Sequence, residues 1–251
     1  MNIAAFDLET NGIAGSSVLS ASSIVFDGEG SILDIFNRFY LPHERHNRYA
    51  ARIHGLTPER LSALRERTCT SPFFLEDWPN LIDFWEKWEV AGVVVHNLAF
   101  DTSFLPEIAQ GALRWWCSMK GLTEYCAIPQ RPGNFRAGAR GFKWPRLGEA
   151  SDIVCNGPQA LSPSAKTVSI ENALGCALPH VSLFDCFELY RMVSRLIVHR
   201  RELIHFTPFI TPFRPPRPHM PTMPETGVKP LRDRFIMDIL AYENSLRSVI
   251  Q

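Results

Sequence analysis

Four acidic residues and one histidine, spread along a 251-residue chain, are of the types that handle divalent cations and protons. Asp7 and Glu9 close the run Ile3-Ala4-Ala5-Phe6-Asp7-Leu8-Glu9. Its apolar start reads as a buried strand, whose side chains alternate between faces, so both carboxylates leave one face and Leu8 the other. Two acids side by side at the end of an apolar strand repel each other and are costly to desolvate. A hard cation such as Mg²⁺ or Mn²⁺, which favours oxygen ligands, removes that penalty. The alternative is a solvated strand end spilling into the turn at Asn11-Gly12. Asp101 follows Val93-Val94-Val95 and the polar pair His96-Asn97, the pattern of a strand-to-helix junction, where α/β folds place ligands. A helix over 100–109 is expected there, and the plain role for Asp101 is a favourable charge in its first turn.

His180 and Asp185 stand in His180-Val181-Ser182-Leu183-Phe184-Asp185. Five residues of α-helix turn through roughly 500°, which leaves the two side chains about 140° apart. They converge only if His180 lies off the helix that carries Asp185. Pro179, with Ser182 as N-cap and Asp185 three residues later, fits a helix starting between them. The plainer reading is an ordinary capping pair beside a loop histidine. The repeat of Phe184, Phe187, Leu189, Met192, Val193 and Leu196 reads as core packing.

In this order and spacing the motifs resemble the DEDD superfamily of 3′-to-5′ exonucleases, in its histidine-bearing (DEDDh) branch. The resemblance runs over roughly residues 2–197 and includes Arg52-Ile53-His54-Gly55-Leu56-Thr57, Cys117-Ser118-Met119-Lys120 and Lys143-Trp144-Pro145-Arg146-Leu147. It implies a ribonuclease H-like α/β fold, a mixed central sheet with an antiparallel meander flanked by helices. It also implies that Asp7, Glu9, Asp101 and Asp185 hold two Mg²⁺ ions, replaceable by Mn²⁺, with His180 as the general base at neutral pH. By the same likeness Glu9 receives the terminal 3′-hydroxyl and the backbone at Thr10 the last nucleotide. Leu56 and Phe100 would pack the terminal base, with His54 near its sugar or phosphate. The chain departs from the family in having Ser182 where alanine is usual, and in a long stretch at 157–178 that looks like an insertion.

The elements that must position these groups are a meander of strands near Ile3–Leu8, Val18–Phe26 and Ile32–Leu41, a strand at Val93–His96, and a helix ending near Cys155. Lys and Arg number 26 and so do Asp and Glu, so no overall basic field advertises nucleic acid. Basic residues cluster in 131–146, where Arg136, Arg140 and Lys143 alternate with Phe135, Phe142 and Trp144 and no acid intervenes. Cations interleaved with aromatic rings suit the phosphates and bases of a single strand; a solvated Gly-rich loop is the plain alternative. Six cysteines without Cys-x-x-Cys spacing, an immediate first strand and no membrane-length apolar run predict a cytoplasmic protein with reduced thiols and no membrane contact.

Residues 1–200 are thus expected to form the exonuclease domain. Residues 201–230 would be a proline-rich linker, extended and loosely held, with eight prolines between Thr207 and Pro230. Residues 231–251 repeat apolar side chains at helical spacing and would dock on their own domain, on a second copy, or on another protein such as a polymerase. The expected activity is release of 5′-mononucleotides from the 3′ ends of single-stranded nucleic acid, DNA favoured. The rivals are an RNA-trimming enzyme of the same chemistry and a non-catalytic nucleic-acid- or polymerase-binding subunit.

Overall fold

A computed structural model describes residues 1–66, 71–130, 141–156, 180–217 and 233–250. The chain opens with three strands, β1 (Asn2–Thr10), β2 (Val18–Phe26) and β3 (Ile32–Phe39). Helices α1 (Arg48–His54), α2 (Pro58–Arg65) and α3 (Phe74–Lys87) lead to β4 (Val90–Val95), α4 (Leu98–Asp101) and α5 (Glu107–Gly111). Next come β5 (Trp115–Cys117), α6 (Ser118–Gly121), α7 (Thr123–Cys126), α8 (Leu147–Asn156), α9 (Ser182–His199) and α10 (Arg234–Ile250). The sheet order is β3-β2-β1-β4-β5. β1, β2 and β3 form the expected antiparallel meander, while β4 runs parallel to β1 and β5 parallel to β4.

Alternation along β1 organises two apolar layers. Ala4, Phe6 and Leu8 face a cluster with Trp85 of α3 and Trp115 of β5, where the Phe6 and Trp85 rings meet edge to face at 5.2 Å. Ile3 and Ala5 face the other cluster, built mainly from α9 through Leu183, Cys186, Phe187, Leu189, Met192, Val193 and Leu196. With helices on both sides, β2 is buried along its whole length.

Two expected elements take another form. The helix over 100–109 is instead a one-turn α4, a 3₁₀ turn at Thr102–Phe104 and a separate α5, because Pro106 cannot continue a helical ladder. Ser182 is the first residue of α9, not its N-cap: Val181 precedes it in extended conformation and no side chain caps the helix. The Ser182 hydroxyl is turned inward to the Ser20 and Ser22 hydroxyls of β2, at 2.5 and 2.7 Å.

The proline-rich segment is also held more firmly than expected over 207–217. Thr207 exchanges backbone bonds with Trp115, the Gln110 side chain brackets Thr211 on both its N–H and C=O, and Arg214 N–H donates to Ser103 C=O. Residues 218–232 lie outside the described residues. Beyond them α10 docks on its own domain. Ile236 and Ile239 join Leu19, Leu56, Leu61 and Val181, and the Tyr242 ring stacks on Phe184 at 3.7 Å. Each such buried apolar side chain stabilises by roughly 1.5–3 kcal/mol. Arg60–Asp233 and Asn37–Glu243 bonds flank this contact. The apolar face that would serve a second copy or a polymerase is therefore covered in cis. Among the described residues no helix is long and apolar enough to cross a membrane.

Candidate active site

The carboxyl-terminal end of β1 is where the acids gather. β4 stops pairing with β1 at Ala5↔Val94, so the last residues of β1 project past the edge of its parallel neighbour. Asp7 and Glu9 leave the strand on the α9 side, and Asp185, one turn into α9, comes down on them. Carboxylate oxygens of Asp7, Glu9 and Asp185 lie within 4.8 Å of one another. Asp101 lies outside that group, yet it is nearly fully buried and adds its charge to those felt by Asp7 and Glu9. Its carboxylate accepts backbone N–H bonds from Leu8 and Asn97, which lock α4 to β1.

Such crowding shows in the protonation of the group. Burial first, then the charges of Asp185, Asp101 and Glu9, push the Asp7 pKa well above the ordinary carboxylate range. Glu9 is raised in the same way by burial, Asp185 and Asp101. Burial lifts Asp101 to about 8, against the pull of its backbone donors. Asp185 is raised to about 7 by burial and by Glu188. A site that is this expensive in anionic form is one whose charge a cation would compensate. The donor set is all carboxylate oxygen, suited to a hard divalent ion.

His180 is exposed, two residues before α9 begins, with a φ of 63°. Left-handed backbone is uncommon for a residue other than glycine and is often found at functional sites. It lies off the helix of Asp185, as convergence required. Buried His54, the last residue of α1, feels the charge of His180. Burial, then His46, hold the His54 pKa down at about 4, while a backbone bond with Thr10 pulls the other way. Its Nδ1 accepts the Leu56 N–H at 3.0 Å across Gly55. Gly55 has φ 73°, and a Cβ there would stand 2.7 Å from the Phe235 ring, so this turn is restricted to glycine.

Thr10 is buried beside the acids, its hydroxyl donating to Gly12 C=O at 2.6 Å. Phe100 is half-buried, edge to face with Phe104 at 5.1 Å. Leu56 is fully buried under Ile236 and Ile239, so no surface remains there for a base. Lys143 is engaged elsewhere as well: its Nζ donates to Glu149 at 2.5 Å. Arg136 and Arg140 lie outside the described residues, as does the stretch 157–178.

Sequence reading passed over Asn11. Its side chain donates to Glu44 and to Arg45 C=O and accepts from Asn47 N–H, fastening the end of β1 to the N-terminus of α1. Asn11-Gly12 looks like a turn signal, and nothing local distinguishes a turn asparagine from one that bridges two segments. His96, read as a strand end, is half-buried between the Ser118 hydroxyl and Pro145 C=O, and desolvation lowers its pKa to about 4.

No protein-family model matches the chain, and no curated protein matches it. Solved structures do. A 3′-exonuclease, in a structure describing 3′-end specific recognition of a histone mRNA stem-loop, superposes with a TM-score of 0.51 at 14% identity, covering 88% of this chain and 98% of that one. Exonuclease I from Methylocaldum szegediense, moderately thermophilic, gives 0.50 at 17% identity, covering 80% of this chain but 41% of its own length. The fold is ribonuclease H-like.

Proposed function

We propose that this chain is a metal-dependent 3′-to-5′ exonuclease that shortens single-stranded nucleic acid, DNA in preference to RNA, releasing nucleoside 5′-monophosphates. The observation that carries this reading is the convergence of Asp7, Glu9 and Asp185 within 4.8 Å at the end of β1, with buried Asp101 alongside. Likeness of fold to two exonucleases supports it.

In this reading Asp7, Glu9, Asp101 and Asp185 hold two Mg²⁺ ions, for which Mn²⁺ substitutes. When bound there, such ions would supply Lewis acidity toward a phosphate, a bound water and a departing 3′ oxygen. His180, exposed ahead of α9, accepts the proton of that water. Glu9 and the backbone at Thr10 seat the terminal nucleotide, Phe100 offers its ring to the last base, and His54, kept neutral, supports Thr10 from behind. Cys117, Cys126, Cys155 and Cys186 are free and buried, which suits the reducing cytoplasm we assign to the protein.

Matched 5′-labelled and 3′-labelled single strands of DNA and RNA, incubated with Mg²⁺, with Mn²⁺ and with EDTA, test the proposal. A metal-dependent ladder from the 5′-labelled strand, with labelled mononucleotide from the 3′-labelled one, is expected, faster on DNA. Release of label from the 5′ end first, or degradation unaffected by EDTA, would refute it.

A further inference from the structure

We infer that the exposed side of α1, with the loop before it, grips the phosphates of the substrate strand upstream of its 3′ end. This rests on the exonuclease reading. Arg45, Arg48 and Arg52 are all exposed and, with His46, line one open cavity of about 520 Å³. Several other cations among the described residues are spent internally: Arg38 on Asp77, Arg60 on Asp233, Lys143 on Glu149, Arg247 on Glu243. No ion pair among the described residues engages Arg45, Arg48 or Arg52. The nearby acids do not answer them either. Glu44 is taken by Asn11 and by the backbone and hydroxyl of Ser17. Glu59, in the cavity wall, bonds the Thr57 side chain. Three arginines without acidic partners, in a chain of zero net charge, form a local site for anions.

Aromatic and apolar surface lies beside the charge. Tyr49 and Ile53, one helical turn apart, are 77% and 62% exposed, and the Arg52 guanidinium lies 5.7 Å from the Tyr49 ring. Cations next to an open ring are what a single strand needs, phosphates on one and bases on the other. A seven-residue helix extends about 10 Å, the length over which a strand with B-form rise presents about three phosphates.

Position ties this surface to the acids. Asn47, the N-cap of α1, donates its N–H to Asn11, two residues past Glu9. At the other end of α1, His54 is held against the Thr10 backbone. Both ends of the helix are thus fixed to the end of β1, so a strand with its terminus at Thr10 has α1 directly alongside.

The test uses the full chain with Asp7→Ala to prevent cleavage, and fluorescein-labelled dT20 titrated over a salt series. Replacing Arg45, Arg48 and Arg52 together by Gln is expected to make the slope of log affinity against log salt about two units shallower, about 0.7 for each lost phosphate. Replacement by Lys should restore the slope. Tyr49→Ala should weaken binding about 5- to 150-fold with the slope unchanged, because stacking releases no counterion. In the otherwise intact enzyme the Gln variant should still cleave a dinucleotide at the parental rate. Identical slopes with and without the three arginines would overturn the inference while leaving the exonuclease reading untouched. A parent that binds dT20 with an arginine-dependent slope but releases no nucleotide would sink that reading and leave the strand-binding surface standing. Equally tight, equally arginine-dependent binding of blunt duplex would overturn the assignment to a single strand.

Discussion

The two faces of β1 have opposite chemistry within nine residues. Toward α3 the strand shows Ala4, Phe6 and Leu8, packed against Trp85 and Trp115. Toward α9 it shows Ile3 and Ala5, then Asp7 and Glu9, with Ser20 and Ser22 beside them on β2 and Ser182 above. One face supplies burial that stabilises the fold; the other carries like charges that oppose it. A strand clamped on its apolar side is a rigid base for carboxylates that would otherwise move apart. Stability and chemistry should therefore be separable by mutation, face by face.

The sharpest test of that separation is Asp7→Ala. Mononucleotide release should fall to background, while the metal-free protein at pH 8 should melt no lower than the parent, since a buried like charge has gone. His180→Ala comes next, with turnover lowered about 10²–10⁴-fold and substrate affinity nearly unchanged. On the opposite face Trp85→Ala should destabilise by about 3–5 kcal/mol and leave the activity per folded molecule intact. Chemical denaturation beside single-turnover assays measures all three. Large activity loss in a folded Trp85→Ala protein would show that the two faces are not independent.

This division was legible in the sequence because the period-two pattern of β1 assigns every side chain to a face before any partner is known. The position of His180 off its helix followed from helical geometry in the same way. What could not be read depended on partners. Ser182 and Asp185 match a capping pattern, yet the hydroxyl bonds serines 160 and 162 residues away, a choice that only packing makes. Lys143 looks free within an acid-free stretch, but its partner Glu149 starts the next helix. Leu56 was read from a motif resemblance and is covered by α10, a helix whose amphipathic pattern was visible while its docking site was not. β5, three residues long, is below the reach of periodicity. Pro106 was a local signal and should have ended the helix drawn through it.

Protonation offers a smaller contrast. Asp101 at about 8 and Asp185 at about 7 keep protons that ordinary carboxylates of the unfolded chain release near 3.8. Their contribution to stability is fully present below that value and is lost as pH rises through 7 to 8. His96, with a pKa lowered to about 4 from 6.5, works oppositely: its contribution is lost as pH falls from 6.5 toward 4. The two trends offset each other below pH 6.5, and above it only the acids remain. Metal-free protein should accordingly lose at least about 2 kcal/mol between pH 6.5 and 8. Saturating Mg²⁺ or Mn²⁺ should abolish that loss, so the rise in melting temperature on adding metal is larger at pH 8 than at pH 6. A metal-induced shift that is the same at both pH values would contradict the assignment of these acids to the ions.

The smallest expected effect tests whether the polar face extends beyond its acids. Ser182 is fully buried and shares its hydroxyl with Ser20 and Ser22, the cross-strand partners of Glu9 and Asp7. Ser22 also donates to Asn37 at 2.8 Å, and Asn37 to Glu243 of α10 at 2.8 Å, so hydroxyls and amide run from beneath the acids to the last helix. Ser182→Ala removes one oxygen and opens no space a methylene would fill. Ser22 keeps Asn37 as a partner, whereas Ser20 loses the Ser182 hydroxyl. The loss should be about 1 kcal/mol, the ordinary value of one net hydrogen bond. Turnover should stay within about threefold of the parent, a shift of under 1 kcal/mol in the barrier. If turnover instead drops tenfold or more while the melting temperature holds, the serines orient the carboxylates, and the line between a structural and a chemical face must be moved inward to include β2.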